Sequence, residues 1–298
     1  MDVSIIIVNY NTRDLTRNCL LSIFDKTQDI NYEVIVSDNG SKDGSVEMIK
    51  SEFPQVVLIE NNVNLGFGAA NNRGLALAKG KYIFYLNSDT LLLNNAVKLF
   101  FDYWEKSSQK NEIGALGCNL LDGNYRLAHS FGCFPTEDIV KKLWKKRICH
   151  SLIKFFIEKI GIKLYKEKSY QDKYIGEVDF ITGADLFVKN DVNAFFNEDI
   201  FLYCEDLELQ KRMSDNNLKR LIIDGPGIVH FQGMSGNKKV TFESLYFSFG
   251  KIQNDISLLK YFSLHGNPEK ARDLTEILKK YWSIPFYKKY TKNYLAYL

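Results

Sequence analysis

The sequence is poor in cysteine, and the few it has form no pattern. Cys19, Cys118, Cys133, Cys149 and Cys204 contain no CxxC pair. That excludes a zinc ribbon or dithiol redox motif and fits a reducing cytoplasm, where free cysteine packs as a small hydrophobe. Long apolar runs are missing as well: none approaches the ~20 residues of a membrane span. Met1-Asp2 passes straight into Val3–Val8 with no basic stretch before it, so the N-terminus reads as a buried strand and not as a signal peptide. No GxGxxG fingerprint or Walker loop occurs, which disfavours dinucleotide enzymes and P-loop ATPases. A net charge of +3 is too small to point to nucleic acid, and no nucleic-acid partner is expected.

What is present suits a soluble α/β protein. With 298 residues, 45% of them hydrophobic, one large domain plus an appendage is expected. Short apolar runs alternate with helical patterns through the first 120 residues. Strands are predicted at Val3–Asn9, Tyr32–Asp38, Val56–Glu60 and Tyr82–Asn87, and helices at Arg13–Phe24, Gly44–Lys50 and Phe67–Ala78. Val- and Ile-rich strands alternating with helices imply βαβ units and a mostly parallel sheet covered on both faces. Further strands are predicted at Val178–Ile181, Leu186–Val188, Leu221–Asp224 and Ile228–Phe231, with a helix from the Glu205-Asp206 pair through Arg212.

Ligands of such sheets gather beyond the carboxyl ends of the strands, and polar residues stand there: Asn9-Tyr10-Asn11, Asp38-Asn39, Asn61-Asn62 and Asn87-Ser88-Asp89. Asp89 is placed to hold a divalent cation that neutralises a diphosphate; the competing reading is that Asp89 or Thr90 caps a following helix. Asp38 could accept from a base NH, or could simply make a turn with Asn39. In Asn64-Leu65-Gly66-Phe67-Gly68-Ala69-Ala70-Asn71 the small residues let backbone approach a ligand at a helix start. Asn71 and Arg73 either contact that ligand or face outward. Glu205-Asp206 follows an aromatic run and is costly to bury unless used, for example to deprotonate a hydroxyl; otherwise it favours the positive end of a helix. His230 ends an apolar strand and either completes a metal sphere or is a satisfied core residue. His129, His150 and His265 have no comparable setting.

Read together, these segments resemble the family 2 glycosyltransferases of the GT-A fold, and most of all the bacterial rhamnosyltransferase-like branch that builds surface polysaccharides. The matching stretches are Val3–Asn11, Glu33–Ser45, Asn64–Phe67, Leu86–Thr90, Thr182–Ala184, Phe201–Asp206 and Val229–Phe231. The resemblance implies that Asn9, Tyr10, Asn11, Asp38, Asn64, Gly66, Phe67, Asn71, Asn87 and Ser88 hold the nucleotide. It implies Asp89 and His230 as contacts of Mg²⁺ or Mn²⁺, and Asp206 as general base with Glu205 as its partner. Thr182, Gly183, Ala184 and Asp185 fall where the sugars lie. Asn87 departs from the family's acidic metal motif and leaves one charge fewer for the cation.

The implied activity is an inverting transfer of a sugar, favouring L-rhamnose from dTDP-rhamnose over UDP-linked galactose, GlcNAc or another hexose. A nucleotidyltransferase would carry a Gly-rich basic loop after its first strand, which Asn9–Thr12 is not, and a non-catalytic sugar-binding relative would not need the four site residues together. The expected domains are a GT-A catalytic domain over 1–235, with a basic helical insertion at about 138–172, and a helical, aromatic-basic extension over 236–298. Trp144, Phe155 and Phe156 among the lysines of 141–168, and the aromatic-basic tail, suit a peripheral enzyme on the cytoplasmic face of the inner membrane. Its acceptor would then be a saccharide on a polyprenyl diphosphate. The other reading of 141–168 is a solvated helix packed by its apolar side.

Overall fold

The structure is a computed structural model and describes residues 1–159, 172–231, 248–284, 287–288 and 291–295. The chain opens with strands β1 (Val3–Asn9), β2 (Tyr32–Asp38), β3 (Val57–Glu60) and β4 (Tyr82–Leu86), alternating with helices α1 (Arg13–Lys26), α2 (Ser45–Glu52) and α3 (Phe67–Leu75). Then come β5 (Thr90–Leu92), α4 (Ala96–Lys106), β6 (Ile113–Cys118), β7 (Phe131–Gly132), α5 (Glu137–Lys159), β8 (Gly176–Val178), β9 (Phe180–Ile181) and β10 (Asp185–Lys189). A 3₁₀ turn at Val192–Ala194 precedes α6 (Glu205–Asp215), β11 (Lys219–Ile223), β12 (Ile228–His230), α7 (Phe249–His265) and α8 (Pro268–Ser283).

Eight strands form one sheet in the order β3-β2-β1-β4-β10-β6-β11-β8. Neighbours run parallel except β10, antiparallel to both β4 and β6, and β8, antiparallel to β11. This is the mostly parallel α/β sheet expected. Side chains alternate between its faces. Ile5 and Ile7 pack with Leu20, Ile23, Phe100 and Trp104 on one side, while Ile6, Ile35 and Tyr85 meet Leu209 and Met213 on the other. Burial on both faces explains why β1 reads as an unbroken Ile-Ile-Ile-Val run.

Two elements differ from expectation. The predicted strand Val178–Ile181 divides at Asp179 into β8 and β9, which pair with β11 and β7 respectively. Asp179 Oδ2 accepts from Phe134 N and its carbonyl from Arg220 Nε, so its polar groups serve other partners than a continuing ladder. After Asn87–Asp89 the chain enters strand β5, and α4 begins only at Ala96. Asp89 and Thr90 therefore cap no helix.

By internal contacts the chain forms two compact units. One comprises Met1–Phe134, Tyr170–Phe201 and Glu205–Gly236; the other comprises Pro135–Ser169, Leu202–Cys204 and Asn237–Leu298. In the second, α5 packs with the C-terminal helices. Trp144 is 3% exposed and donates its indole N–H to Asp255 Oδ1 at 3.0 Å, and Arg147 pairs with the same carboxylate. Tyr281, Trp282 and Tyr287 are buried too. Trp144 and these tail aromatics are thus core residues and not the membrane-facing anchors expected of them, because a Trp with a buried hydrogen-bond partner gains more from packing than from exposure. The apolar spacing of α5 does not give one buried stripe, since Ile139 and Leu143 are exposed. The side chains of Phe155, Phe156, Phe286 and Tyr290 lie outside what is described. No helix among the described residues is long and apolar enough to cross a membrane.

Candidate active site

The strand order reverses direction of growth at β1, which lies between β2 and β4. The crevice beyond the carboxyl ends of β1 and β4 is where such sheets take ligands. Asn9 closes β1 with every hydrogen-bonding capacity filled from within. Its Nδ2 donates to Asp38 Oδ1 (2.6 Å) and Ser41 Oγ (3.0 Å), and its Oδ1 accepts from Thr12 Oγ1 (2.8 Å) and Thr16 Oγ1 (2.7 Å). Asp38 Oδ2 accepts from Gly40 N and Ser41 N, and the residue is buried. Asp38 is therefore the turn-former, and Asn39, expected to serve only its own turn, reaches instead to the neighbouring loop. Its Nδ2 donates to Gly66 O (3.0 Å) and its Oδ1 accepts from Asn61 Nδ2 (3.1 Å). Asn9 and Asp38 thus shape the rim, while Tyr10, 48% exposed, stands on it. Asn11, in a left-handed conformation (φ 53°), accepts from Lys42 N through Oδ1.

The small residues of the 64–74 run approach the protein's own chain, contrary to the expectation that they make room for a ligand. A Cβ on Gly66 (φ 89°) would lie 2.1 Å from the Phe201 carbonyl oxygen, which already accepts from Phe67 N at 3.0 Å. A Cβ on Gly74 would strike Ile6. Asn71 is buried and bonds Phe67 O within its helix, so its side chain faces no ligand. Asn64 is exposed, with Oδ1 accepting from Gly66 N, and Arg73 points outward.

Beyond β4, Asn87, Ser88 and Asp89 lead into β5, which pairs antiparallel with β12 so that Thr90 lies opposite His230. That ladder brings His230 Nε2 to 3.2 Å from Asp89 Oδ1 and 3.4 Å from Asn87 Nδ2. His230 is almost wholly buried, yet its ring meets the polar end of β4 and not the core alone. Ser88 Oγ lies 3.0 Å from Thr12 Oγ1, which ties the β4 end to the β1 end. A cation fits between the Asp89 and His230 donors: ligand atoms at right angles on bonds of about 2.1 Å stand about 3 Å apart. No cluster of three or more His, Cys, Asp or Glu suited to a metal occurs among the described residues. Asp89 and His230 would hold a divalent cation together with oxygens of the phosphate substrate, and the cation would supply positive charge there.

The chain enters α6 through two consecutive left-handed residues, Tyr203 (φ 67°) and Cys204 (φ 64°), a conformation that costs side-chain-bearing residues on the order of 1 kcal/mol each. The helix then starts at Glu205-Asp206. Asp206 is half-buried; its Oδ2 accepts from Gly183 N and its Oδ1 from Leu207 N, both at 2.8 Å. Glu205 is buried, and its Oε2 has no hydrogen-bond partner among the described residues. Burial, and then the adjacent Asp206 charge, push the Glu205 carboxyl well above the usual range. Burial also raises Asp206, opposed by the two backbone N–H bonds and by the charge of His129. A half-exposed carboxylate of raised proton affinity is suited to take a proton from a bound hydroxyl.

Residues 182–185 divide in role. Gly183 holds Asp206, and Thr182, partly exposed, keeps a buried Oγ1 with no partner among the described residues. Ala184 is buried in the core and accepts Asn87 N through its carbonyl. Asp185 is fully buried, accepts Cys118 N at 2.8 Å, and is raised by burial to about 8. Ala184 and Asp185, expected against the sugars, are thus buried where β10 begins, Asp185 against Cys118.

One element of the site escaped the sequence reading. The hairpin over 120–130 is bridged at Leu121↔Leu127 and lies parallel to Val229 on its other side. Its outgoing arm then pairs with β9, Phe131 opposite Ile181, and Ser130 O accepts Thr182 N. The hairpin therefore joins the His230 strand to the Asp206 support. Its signal was in the sequence, Asp122-Gly123 between apolar residues, a favoured hairpin turn. His129, set aside earlier, sits on this arm.

Comparison with known proteins accords with this geometry. Residues 4–163, more than half of the chain, match the family model described as glycosyl transferase family 2. The poly(ribitol-phosphate) beta-glucosyltransferase of Bacillus spizizenii is 33% identical over 39% of this chain and 19% of its own length. The UDP-Glc:alpha-D-GlcNAc-diphosphoundecaprenol beta-1,3-glucosyltransferase WfaP of Escherichia coli is 34% identical over 37% of this chain and 39% of its own. The chain therefore spans well under half the length of these relatives. Among solved structures, the mannosyltransferase PcManGT of Pyrobaculum calidifontis, in complex with GDP-Man and Mn²⁺, shares the fold. Its TM-score is 0.55 at 15% identity, over 99% of this chain and 84% of that one. S. aureus TarS 1-349 with UDP gives 0.52 at 14% identity, over 96% and 81%. With the sheet, the crevice and the family model in agreement, the chain belongs to glycosyl transferase family 2.

Proposed function

We propose that this enzyme is an inverting glycosyltransferase that moves one sugar from a nucleotide-diphosphate donor to a saccharide hydroxyl in bacterial surface polysaccharide synthesis. The observation that carries this reading is Asp206: a half-exposed carboxylate, raised by burial and fixed by two backbone N–H groups. It takes the acceptor's proton as the hydroxyl oxygen bonds the anomeric carbon from the face opposite the diphosphate, which departs with its electron pair. One displacement inverts configuration. Glu205 beside it is pushed toward its neutral form, so the pair holds a single negative charge and the base keeps its proton affinity. Tyr10, Asn11, Asn64 and Ser88 face the donor, while Asn9 and Asp38 hold the rim in shape. Asp89 and His230 would hold Mg²⁺ or Mn²⁺, which when bound neutralises charge on the leaving diphosphate.

The donor favoured by the motif resemblance is dTDP-L-rhamnose. A UDP-hexose is the second reading, supported by the UDP-Glc specificity in the name of the E. coli relative. That name also supports an acceptor on a polyprenyl diphosphate. Residues 1–235 then carry catalysis, and 236–298 form a helical extension. With Trp144 buried, peripheral attachment to the inner membrane surface rests on the exposed lysines Lys142, Lys145 and Lys146 and is electrostatic. The test is nucleotide release from dTDP-rhamnose and UDP-sugars with and without Mg²⁺ or Mn²⁺, with the anomeric configuration of the product read by NMR. Retention of configuration overturns the single displacement.

A further inference from the structure

We infer that His129 is a positioning residue for the base: as a cation across the strand pair from Gly183 it holds Asp206 ionised for the acceptor hydroxyl. The inference rests on the reading of Asp206 as base.

The backbone places it there. Gly132 lies opposite Phe180 and Phe131 opposite Ile181, and Ser130 O accepts Thr182 N. Continuing that antiparallel register sets His129 opposite Gly183, whose N–H donates to Asp206 Oδ2 at 2.8 Å. Adding a Cβ to Gly183 would bring it to 3.4 Å from that oxygen, so only a glycine's breadth separates this strand from the carboxylate. The imidazole is exposed and has no hydrogen-bond partner among the described residues, which leaves it available to a ligand and to Asp206.

Burial works against the ionised form of Asp206, and the adjacent Glu205 adds a second acid on the same helix turn. Gly183 N and Leu207 N favour the anion as neutral dipoles, and Phe67, from α3, approaches Gly183 with an apolar ring edge. After these backbone groups, a positive charge on His129 also favours the ionised form of Asp206. A histidine ordinarily carries that charge below about pH 6.5, the range in which a carboxylate of raised proton affinity would otherwise be lost as a base.

The experiment is the pH dependence of kcat/KM between pH 5.5 and 9 for the full chain, His129→Gln and His129→Lys. Loss of a unit charge at this range is expected to move the acid limb of the Gln variant upward. Its rate would be about threefold to tenfold lower at pH 6, with the deficit shrinking toward pH 8 and the donor KM unchanged. His129→Lys, cationic throughout, restores the limb. An independent readout is the NMR titration of the His129 ring, whose midpoint falls in Asp206→Asn, since coupling between two sites is reciprocal. Superposed acid limbs, or an equal loss at every pH, overturn the inference while an inactive Asp206→Asn keeps the base assignment standing. Turnover retained in Asp206→Asn removes the base assignment itself.

Discussion

Asp89 and His230 meet across the β5–β12 ladder, Oδ1 to Nε2 at 3.2 Å, although β6 through β11 lie between them in the chain. The ladder brings together the two groups proposed to hold the cation. His230→Ala is expected to raise the Mn²⁺ concentration for half-maximal rate by about tenfold or more, measured as nucleotide release across a metal titration. An unchanged metal requirement removes His230 from the metal assignment.

Asp206→Asn preserves the size of the side chain and one acceptor oxygen for Gly183 N. Turnover should fall on the order of 10²- to 10⁴-fold while the donor Kd, read by calorimetry, stays within about twofold. Near-normal turnover would show that another group takes the proton.

Asp185 gives a test in stability. Burial raises its carboxyl from 3.8 to about 8, so between those values the unfolded chain ionises while the folded one keeps its proton. The fold therefore loses stability as pH climbs from about 4 to about 8, and the loss levels off above. The total is on the order of 5 kcal/mol. Asp185→Asn, which can still accept Cys118 N, should lack this slope in urea unfolding measured from pH 5 to 9. Parallel profiles for the two proteins would refute the assignment.

Gly66→Ala should destabilise by more than about 1 kcal/mol, because the residue combines φ 89° with a Cβ position 2.1 Å from the Phe201 oxygen. Thermal unfolding reads this directly, and a wild-type Tm would contradict the close approach.

In the second unit, Asp255→Ala leaves the Arg147 guanidinium and the Trp144 N–H without their shared acceptor. Removing one partner of a buried pair costs about 3–5 kcal/mol. The expected outcome is early melting by circular dichroism; Arg147→Met together with Asp255→Leu should recover part of it.

The parallel half of the sheet was legible because its information is local. Ile5-Ile6-Ile7-Val8 can only be a buried strand, and polar residues mark where β1, β2 and β4 stop. The start of α6 at Glu205 was legible for the same reason. What the sequence hid depends on distant partners. β5 is three residues that become a strand only by pairing with β12, so Thr90 passed for a helix cap. Asp38 and Asn39 exchanged roles because Asn39 finds the 61–66 loop, which no neighbouring residue announces. Asp185 opens a strand covered on both faces, where its carboxyl meets Cys118, and Trp144 found Asp255 from another helix. His129 looked like any exposed histidine until β7 met β9.

The bond from Phe67 N to the Phe201 carbonyl ties two segments far apart in the chain. The loop that follows Asn64 cannot shift without drawing along the segment that delivers Asp206, since Gly66 leaves no slack between the two backbones.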